Sequence, residues 1–228
     1  VTSVDYHLGE LAVALDASDH RWCLPQLTDG DRVVVDIGCG IGQTFVALNP
    51  GARICIGIDI DEAALAFGGK TYGGRFHYVR AGAEAIPLAP GCVDLVIARV
   101  SLPYTNIPVV VREVRRLLQE DGRFWMVLHG RQLIMTWLRE AINMRKLGRI
   151  ARLLYILING YVLKLFGFVF PFVDGQYESW QDTSAMKDLL QRSGFVVVEQ
   201  LINGHQVLEA TIAAREQSAT AGRTRLTA

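Results

Sequence analysis

Four short runs of β-branched and aliphatic residues constrain this chain more than any other feature. Arg32-Val33-Val34-Val35-Asp36-Ile37 and residues 52–59, 76–80 and 93–98 lack polar alternation, which marks strands covered on both faces. Helical patterns separate them, over residues 61–72 with Asp61 as N-cap and around residues 106–119 with Pro108 in the first turn. Strand and helix in alternation argue for a parallel sheet. A fifth strand, 123–128, follows the turn Glu120-Asp121-Gly122; residues 131–175 then have helical periodicity and no strand. Asp182-Thr183 opens a helix to Ser193, and strands at 195–202 and 206–214 flank Asn203-Gly204-His205, a loop short enough for an antiparallel hairpin. The expected fold is α/β: a doubly wound, mostly parallel seven-stranded sheet with a C-terminal antiparallel hairpin and an inserted helical cap. Residues 4–24 read as a leading helix that ends near Pro25.

With 228 residues, half of them hydrophobic and one fifth charged, the chain can bury one sizeable core, which excludes a disordered or fibrous protein. One domain over residues 1–215, with 131–175 as the inserted cap and 216–228 as a flexible tail, is the simplest division. Basic and acidic side chains balance at 23 each, so counterion release gives no reason to expect a nucleic-acid binder. Cys23, Cys39, Cys55 and Cys92 have neither CxxC nor metal-ligand spacing, and no metal is expected. No secretory signal precedes them, so the expectation is a cytoplasmic protein with reduced thiols. The longest apolar stretch, 147–173, is interrupted by Arg149, Arg152 and Lys164, which leaves too little to span a bilayer.

Chemistry concentrates where the first strand gives way to helix. Asp36-Ile37-Gly38-Cys39-Gly40-Ile41-Gly42 lies at the carboxyl end of a strand, where open α/β sheets bind ligands. Its spacing is G-x-G-x-G, and Gln43 stands where a dinucleotide fingerprint has its third glycine, which disfavours nicotinamide and flavin cofactors. Asp59 ends the second strand, where its carboxylate can accept both hydroxyls of a ribose; Asp61 is left to cap the next helix.

These segments, with Gly57-Ile58-Asp59-Ile60, Gly82-Ala83-Glu84-Ala85-Ile86-Pro87-Leu88, Val93-Asp94-Leu95-Val96 and residues 117–123, resemble the successive motifs of class I S-adenosylmethionine-dependent methyltransferases. The similarity covers about residues 30–130, resumes over 182–214, and is nearest to the ubiquinone/menaquinone-type small-molecule group. It implies an enzyme with S-adenosylmethionine as cofactor. Gly38, Cys39, Gly40 and Gly42 would then line its methionine and ribose, Asp36 would act near its amine, Asp59 and Ile60 would meet the ribose, Ala83 and Glu84 would border the adenine, and Arg99 with Val100 would close the methionine end. The family often has Asp where this chain has Gly82. Tyr104 and His129 are the candidate catalytic residues; Tyr6, His7, Tyr104, His129, Tyr177 and Trp180 are candidates for substrate binding. The bland alternatives stay open at each: pocket wall for Tyr104, a structural histidine at 129, and surface positions for Tyr6 and His7.

Residues 131–173 carry seven cations against Glu140 alone, a net +6. Arg145, Arg149 and Arg152 fall at one helical spacing and Leu147, Ile150, Leu154 and Ile158 at another, followed by an Asn159-Gly160 break and a phenylalanine-rich stretch. Three uses are open for this cap: a lid over a lipophilic acceptor, a peripheral membrane contact, or a homodimer interface. The expected activity is methyl transfer to oxygen, nitrogen or carbon of a lipophilic small molecule. A non-catalytic cofactor-binding scaffold and an RNA methyltransferase are the alternatives, although interleaved aliphatic residues make nucleic acid the poorer partner.

Overall fold

A computed structural model of the chain describes residues 2–212. The tail expected at 216–228 and the last two residues of the second hairpin strand lie outside the described residues. The strands are β1 (Val33–Ile37), β2 (Ile54–Asp59), β3 (His77–Arg80), β4 (Val93–Ala98), β5 (Leu118–Val127), β6 (Phe195–Ile202) and β7 (His205–Ile212). The helices are α1 (Ser3–Leu15), α2 (Gln43–Leu48), α3 (Glu62–Tyr72), α4 (Ile107–Leu117), α5 (Arg131–Asn143), α6 (Leu147–Phe166) and α7 (Thr183–Arg192). One sheet has the order β3-β2-β1-β4-β5-β7-β6, with only β7 running against the others. The expected architecture is therefore present.

Burial explains the apolar runs. All of β4 and four of the five residues of β1 are buried, and two clusters built on Val35, Val96 and Phe124 and on Val34, Leu95 and Trp125 cover the two faces. Burying so many large aliphatic side chains stabilises the sheet by roughly 1.5–3 kcal/mol each before conformational entropy is charged against them. Asp94 on β4 anchors the start of β1 by accepting from the Arg32 and Val33 amides at 3.0 and 2.7 Å.

Several local expectations give way. Asp61 does cap α3, accepting from Ala63 and Ala64. The leading helix is shorter than its apolar pattern suggested: α1 ends at Leu15, and Asp16 and Asp19 fold residues 16–22 into turns by accepting from Ser18, Arg21 and Trp22. The turn at residues 120–122 lies inside β5 as a bulge, with Asp121 at φ 68° and the β4 register stepping from Val93/Leu118 to Leu95/Arg123. Asn159-Gly160 does not break the helix. Asn159 is wholly buried and donates to the Tyr155 hydroxyl and to the carbonyls of Phe170 and Glu178, while its Oδ1 accepts from the Phe170 amide. Gly160 is small because the Trp180 indole lies against it. Arg145 is likewise in the turn before α6, at φ 54°, and shares no helical face with Arg149 and Arg152.

A Cβ at position 160 would stand 2.2 Å from the Trp180 ring. Gly160→Ala should consequently destabilise the chain by about 1–3 kcal/mol despite its better helix propensity, read as a lower midpoint in urea unfolding.

Candidate active site

A cavity of about 260 Å³ opens at the carboxyl ends of β1, β2 and β4. Its walls come from α1, the end of β1 with Gly38, the end of β2, residues 81–84 and residues 100–105. No residue of 131–175 lines it, so the lid over this cavity is α1, not the inserted cap. Thr2 and Asp5 form a reciprocal capping box that fixes the start of α1. One helical turn then presents Tyr6, His7 and Glu10 to the cavity.

The glycine loop is shaped by side chains of the protein. A Cβ on Gly38 would stand 2.4 Å from that of Ser101, and one on Gly40 would stand 2.2 Å from the His7 imidazole. Both residues have positive φ, which side chains disfavour. The loop amides are also occupied. Gly38 and Cys39 donate to the Ile58 carbonyl, Gly40 to Asp59 Oδ2 at 2.7 Å, Ile41 to Gln43 Oε1 and Gly42 to the Cys39 carbonyl. With every N–H from Gly38 to Gly42 engaged, the loop has no free donors to wrap a pyrophosphate, which is what a dinucleotide site uses.

Asp59 stands at the centre of this arrangement. Its Oδ2 takes the Gly40 amide and its Oδ1 takes the Asp61 amide at 2.9 Å, so the carboxylate is fixed with a lone pair still free on each oxygen. Ile60 projects beside it and is exposed. Gly82, Ala83 and Glu84 form the neighbouring wall. Glu84 Oε1 accepts from the Asn106 amide at 2.8 Å, while Oε2 lies 3.3 Å from where a Cβ on Gly82 would sit. Glu84 thereby supplies a carboxylate beside Gly82.

Asp36 lies behind Gly38, fully buried, with Oδ2 lacking any hydrogen-bond partner. Burial pushes its carboxyl up to about 7, against the opposing pull of a Thr44 hydrogen bond and the Arg99 charge. A fixed carboxylate in the cavity wall and a loop with no free phosphate donors fit a nucleoside that has no phosphate. Cys39 is buried and its thiol is raised by that burial, so it stays protonated and its role is size.

The remaining candidates separate. Tyr104 reaches the cavity on the short 3-10 turn Leu102–Tyr104, with Val100 and Ser101 beside it. Desolvation, aided by the Glu178 carboxylate, pushes its hydroxyl up to about 12. Arg99 is buried and turns to Glu10, at 3.1 Å, and so holds α1 over the site. His129 is outside the cavity walls. Its amide and carbonyl clamp Gln181, and burial lowers its imidazole to about 4. Tyr177 packs on the main core. Trp180 is 3% exposed, donates to the Leu157 carbonyl and fills the cap's interior. Glu10 was missed from the sequence, although its helical spacing from Tyr6 was a usable signal.

Comparison with known proteins agrees with this geometry. A family profile described as a methyltransferase domain matches residues 35–126. An uncharacterized methyltransferase of Bacillus subtilis, YcgJ, is 33% identical over 101 residues, 42% of this chain and 40% of that protein. The ubiquinone/menaquinone biosynthesis C-methyltransferase UbiE of Methylobacterium nodulans is 33% identical over 102 residues, 40% of this chain and 39% of that protein. The matched stretch thus spans about two fifths of these relatives. Magnesium protoporphyrin IX methyltransferase from Synechocystis PCC 6803, solved with bound S-adenosylhomocysteine, has the same fold with a TM-score of 0.53 at 15% identity, covering 92% of this chain and 83% of that one.

Two predictions follow from the carboxylates. Asp59→Ala should weaken S-adenosylhomocysteine binding by about tenfold or more in calorimetry, since charged hydrogen bonds are worth about 1.5–3 kcal/mol each. Because the folded Asp36 carboxyl is raised, the native chain holds a proton that the unfolded chain releases, and stability should fall as pH rises from about 4 to about 7. Asp36→Asn should flatten that fall in thermal unfolding followed across pH. Over residues 35–126 the chain is similar to a methyltransferase domain, and the relatives that share this stretch include a probable S-adenosylmethionine-dependent methyltransferase of Saccharomyces cerevisiae, 30% identical over 99 residues, 41% of this chain and 34% of that protein.

Proposed function

We propose that the chain transfers a methyl group to oxygen, nitrogen or carbon of a lipophilic small molecule, in the manner of the ubiquinone/menaquinone-type enzymes that its motifs resemble. The observation that carries this reading is the make-up of the cavity. Besides the acids and the polar side chains of His7, Gln43, Ser101 and Thr105, its walls include Tyr6, Ile37, Ile58, Val100 and Tyr104, apolar surface against which a ring or chain can pack. The name of the Methylobacterium relative, a quinone C-methyltransferase, points the same way.

S-adenosylmethionine supplies a methyl group on a positively charged sulfur, which makes it open to attack in line with the leaving sulfur. The chain's own work is to hold, align and exclude water. Asp59 would hold the ribose hydroxyls and Glu84 and Ala83 would border the adenine, while Asp36, buried behind Gly38 and outside the cavity wall, would act on the methionine end only through the loop. Tyr6 and Tyr104 flank the acceptor's approach, and Glu10 is neutralised by Arg99.

The proton acceptors that line the cavity are already engaged: Glu10 pairs with Arg99, Asp59 and Glu84 accept from backbone amides, and the His7 ring lies between Gln43 and Asp61. The hydroxyls of Tyr6 and Tyr104 both hold their protons more tightly than free tyrosine, mainly through desolvation. An acceptor suited to this site therefore brings its own available electron pair or a readily lost proton, and Tyr104 acts by hydrogen bonding and orientation.

Turnover of labelled S-adenosylmethionine with a panel of hydroquinones, phenols and alkyl amines tests the reading. Methyl transfer to at least one apolar acceptor is expected; transfer to RNA alone, or cofactor binding without any turnover, would overturn it. Tyr104→Phe should leave S-adenosylhomocysteine affinity within about twofold and reduce turnover of the acceptor by about tenfold, the value of one oriented hydrogen bond.

A further inference from the structure

The solvent face of α6 is apolar and its charges are turned elsewhere. At 100° per residue, Leu147, Ala151, Leu154, Ile158, Tyr161 and Leu165 lie within about 40° of a single line, and every one of them is exposed. The five larger side chains are between 41% and 79% exposed. Leu153, Ile156, Asn159, Gly160 and Leu163 occupy the inner side. Arg152 is consumed by Asp174 and Glu178, and Lys164 by Asp182, each at 2.8 Å. The result is an apolar strip about 27 Å long at 1.5 Å per residue, with the Arg131 guanidinium donating to the Tyr161 hydroxyl at its edge. It continues at one end into exposed Ile142 and Met144 and at the other into exposed Phe166, Phe168 and Phe170.

A strip of this size is not a surface that faces water alone, and the surrounding charge identifies its cover. Arg131, Arg139, Arg145, Lys146 and Arg149 have no ion-pair partner among the described residues, and Arg145, Lys146 and Arg149 cluster at the start of α6. That helix start has no side-chain cap, so its free amides add to the positive field. A second copy packed on the strip would bring no matching carboxylates: parallel helices oppose cation to cation, and antiparallel ones set Arg145 to Arg149 against Lys164 and phenylalanines. Residues 213–228 contain a single large apolar side chain, Leu226, too little to cover six helical positions. Anionic lipid headgroups supply the missing charge and the acyl boundary supplies the apolar phase.

We propose that the outer face of α6 is a docking surface for an anionic membrane, with the helix lying in the interface plane. Among the described residues no helix is long and apolar enough to cross a membrane, so the contact is peripheral. Leu147, Leu154, Ile158 and Leu165 enter the acyl boundary while Arg145, Lys146 and Arg149 meet lipid phosphates. The surface is separate from the cofactor site and stands whichever acceptor is methylated.

Co-sedimentation of the full chain with phosphatidylcholine vesicles, with and without phosphatidylglycerol, tests the proposal at low and high salt. Binding to the anionic vesicles, weakened by salt, is the expected result. Leu154→Glu/Ile158→Glu and Arg145→Glu/Lys146→Glu, all at exposed positions, should each lower partitioning at least about tenfold while far-UV circular dichroism and S-adenosylhomocysteine affinity are unchanged. The proposal fails if the chain stays in the supernatant with both vesicles, or if neither double variant alters binding. It also fails if light scattering finds a dimer that Leu154→Glu/Ile158→Glu dissociates while vesicles bind nothing, which assigns the strip to a second copy.

Discussion

The hydrogen bond from the Gly40 amide to Asp59 is the constraint around which the site is built. It ties the loop after β1 to the end of β2, and the Ile58 carbonyl, taking the Gly38 and Cys39 amides, ties it a second time. A loop held in this way spends its donors on the sheet and leaves carboxylates, Asp59 and Glu84, as the charged groups beside it in the cavity wall. The same short loop leaves room at Gly40 for the His7 imidazole, so α1 can close over the sheet. The loop's spent donors and the position of α1 over the cavity thus descend from one backbone arrangement. Asp59 is both a structural acceptor and a ligand-facing acid, which works because a carboxylate has more lone pairs than the two amides consume.

The inserted cap follows a different logic. Its interior is held by polar contacts that are fully matched: Asn159 bonds with four groups, and Arg152 spans Asp174 and Glu178 over the Phe172 ring. A buried amide left short of partners would cost about 1–3 kcal/mol, and completing the set lets α6 pass through an Asn-Gly pair without a break. With polar residues drawn inward to pair, the aliphatic residues that remain are left outside. The net charge of zero in the whole sequence conceals this segregation.

Much of the fold was legible because β-branched runs with turns between them admit few arrangements, and β4 matches its expected bounds from Val93 to Ala98. The cavity was legible in part because Asp59, Gly38 and Glu84, which line it, lie within short motifs at strand ends. What failed depended on contacts distant in sequence. Asn159-Gly160 signals a turn by local rules, yet Phe170, Glu178 and Trp180 make it helical. Arg145, Arg149 and Arg152 share a spacing, but the spacing does not reveal that Arg145 precedes the helix or that Arg152 faces acids 22 and 26 residues onward. His129 looked suited to catalysis from its place at a strand end, and only the structure shows its backbone clamped to Gln181 outside the cavity.

The cap nevertheless reaches the site through one seam. The Ser179 amide donates to the Pro103 carbonyl at 2.9 Å, and Pro103 precedes Tyr104 on the cavity wall. One residue before Ser179, Glu178 holds Arg152 of α6 and also raises the Tyr104 hydroxyl. A displacement of α6 that disturbed the Arg152–Glu178 pair would change the charge felt by Tyr104 without touching the cofactor end, because Asp59 and the glycine loop are tied to the sheet. The Tyr104 side of the cavity is therefore the side that the cap can influence, and the Asp59 side is insulated from it.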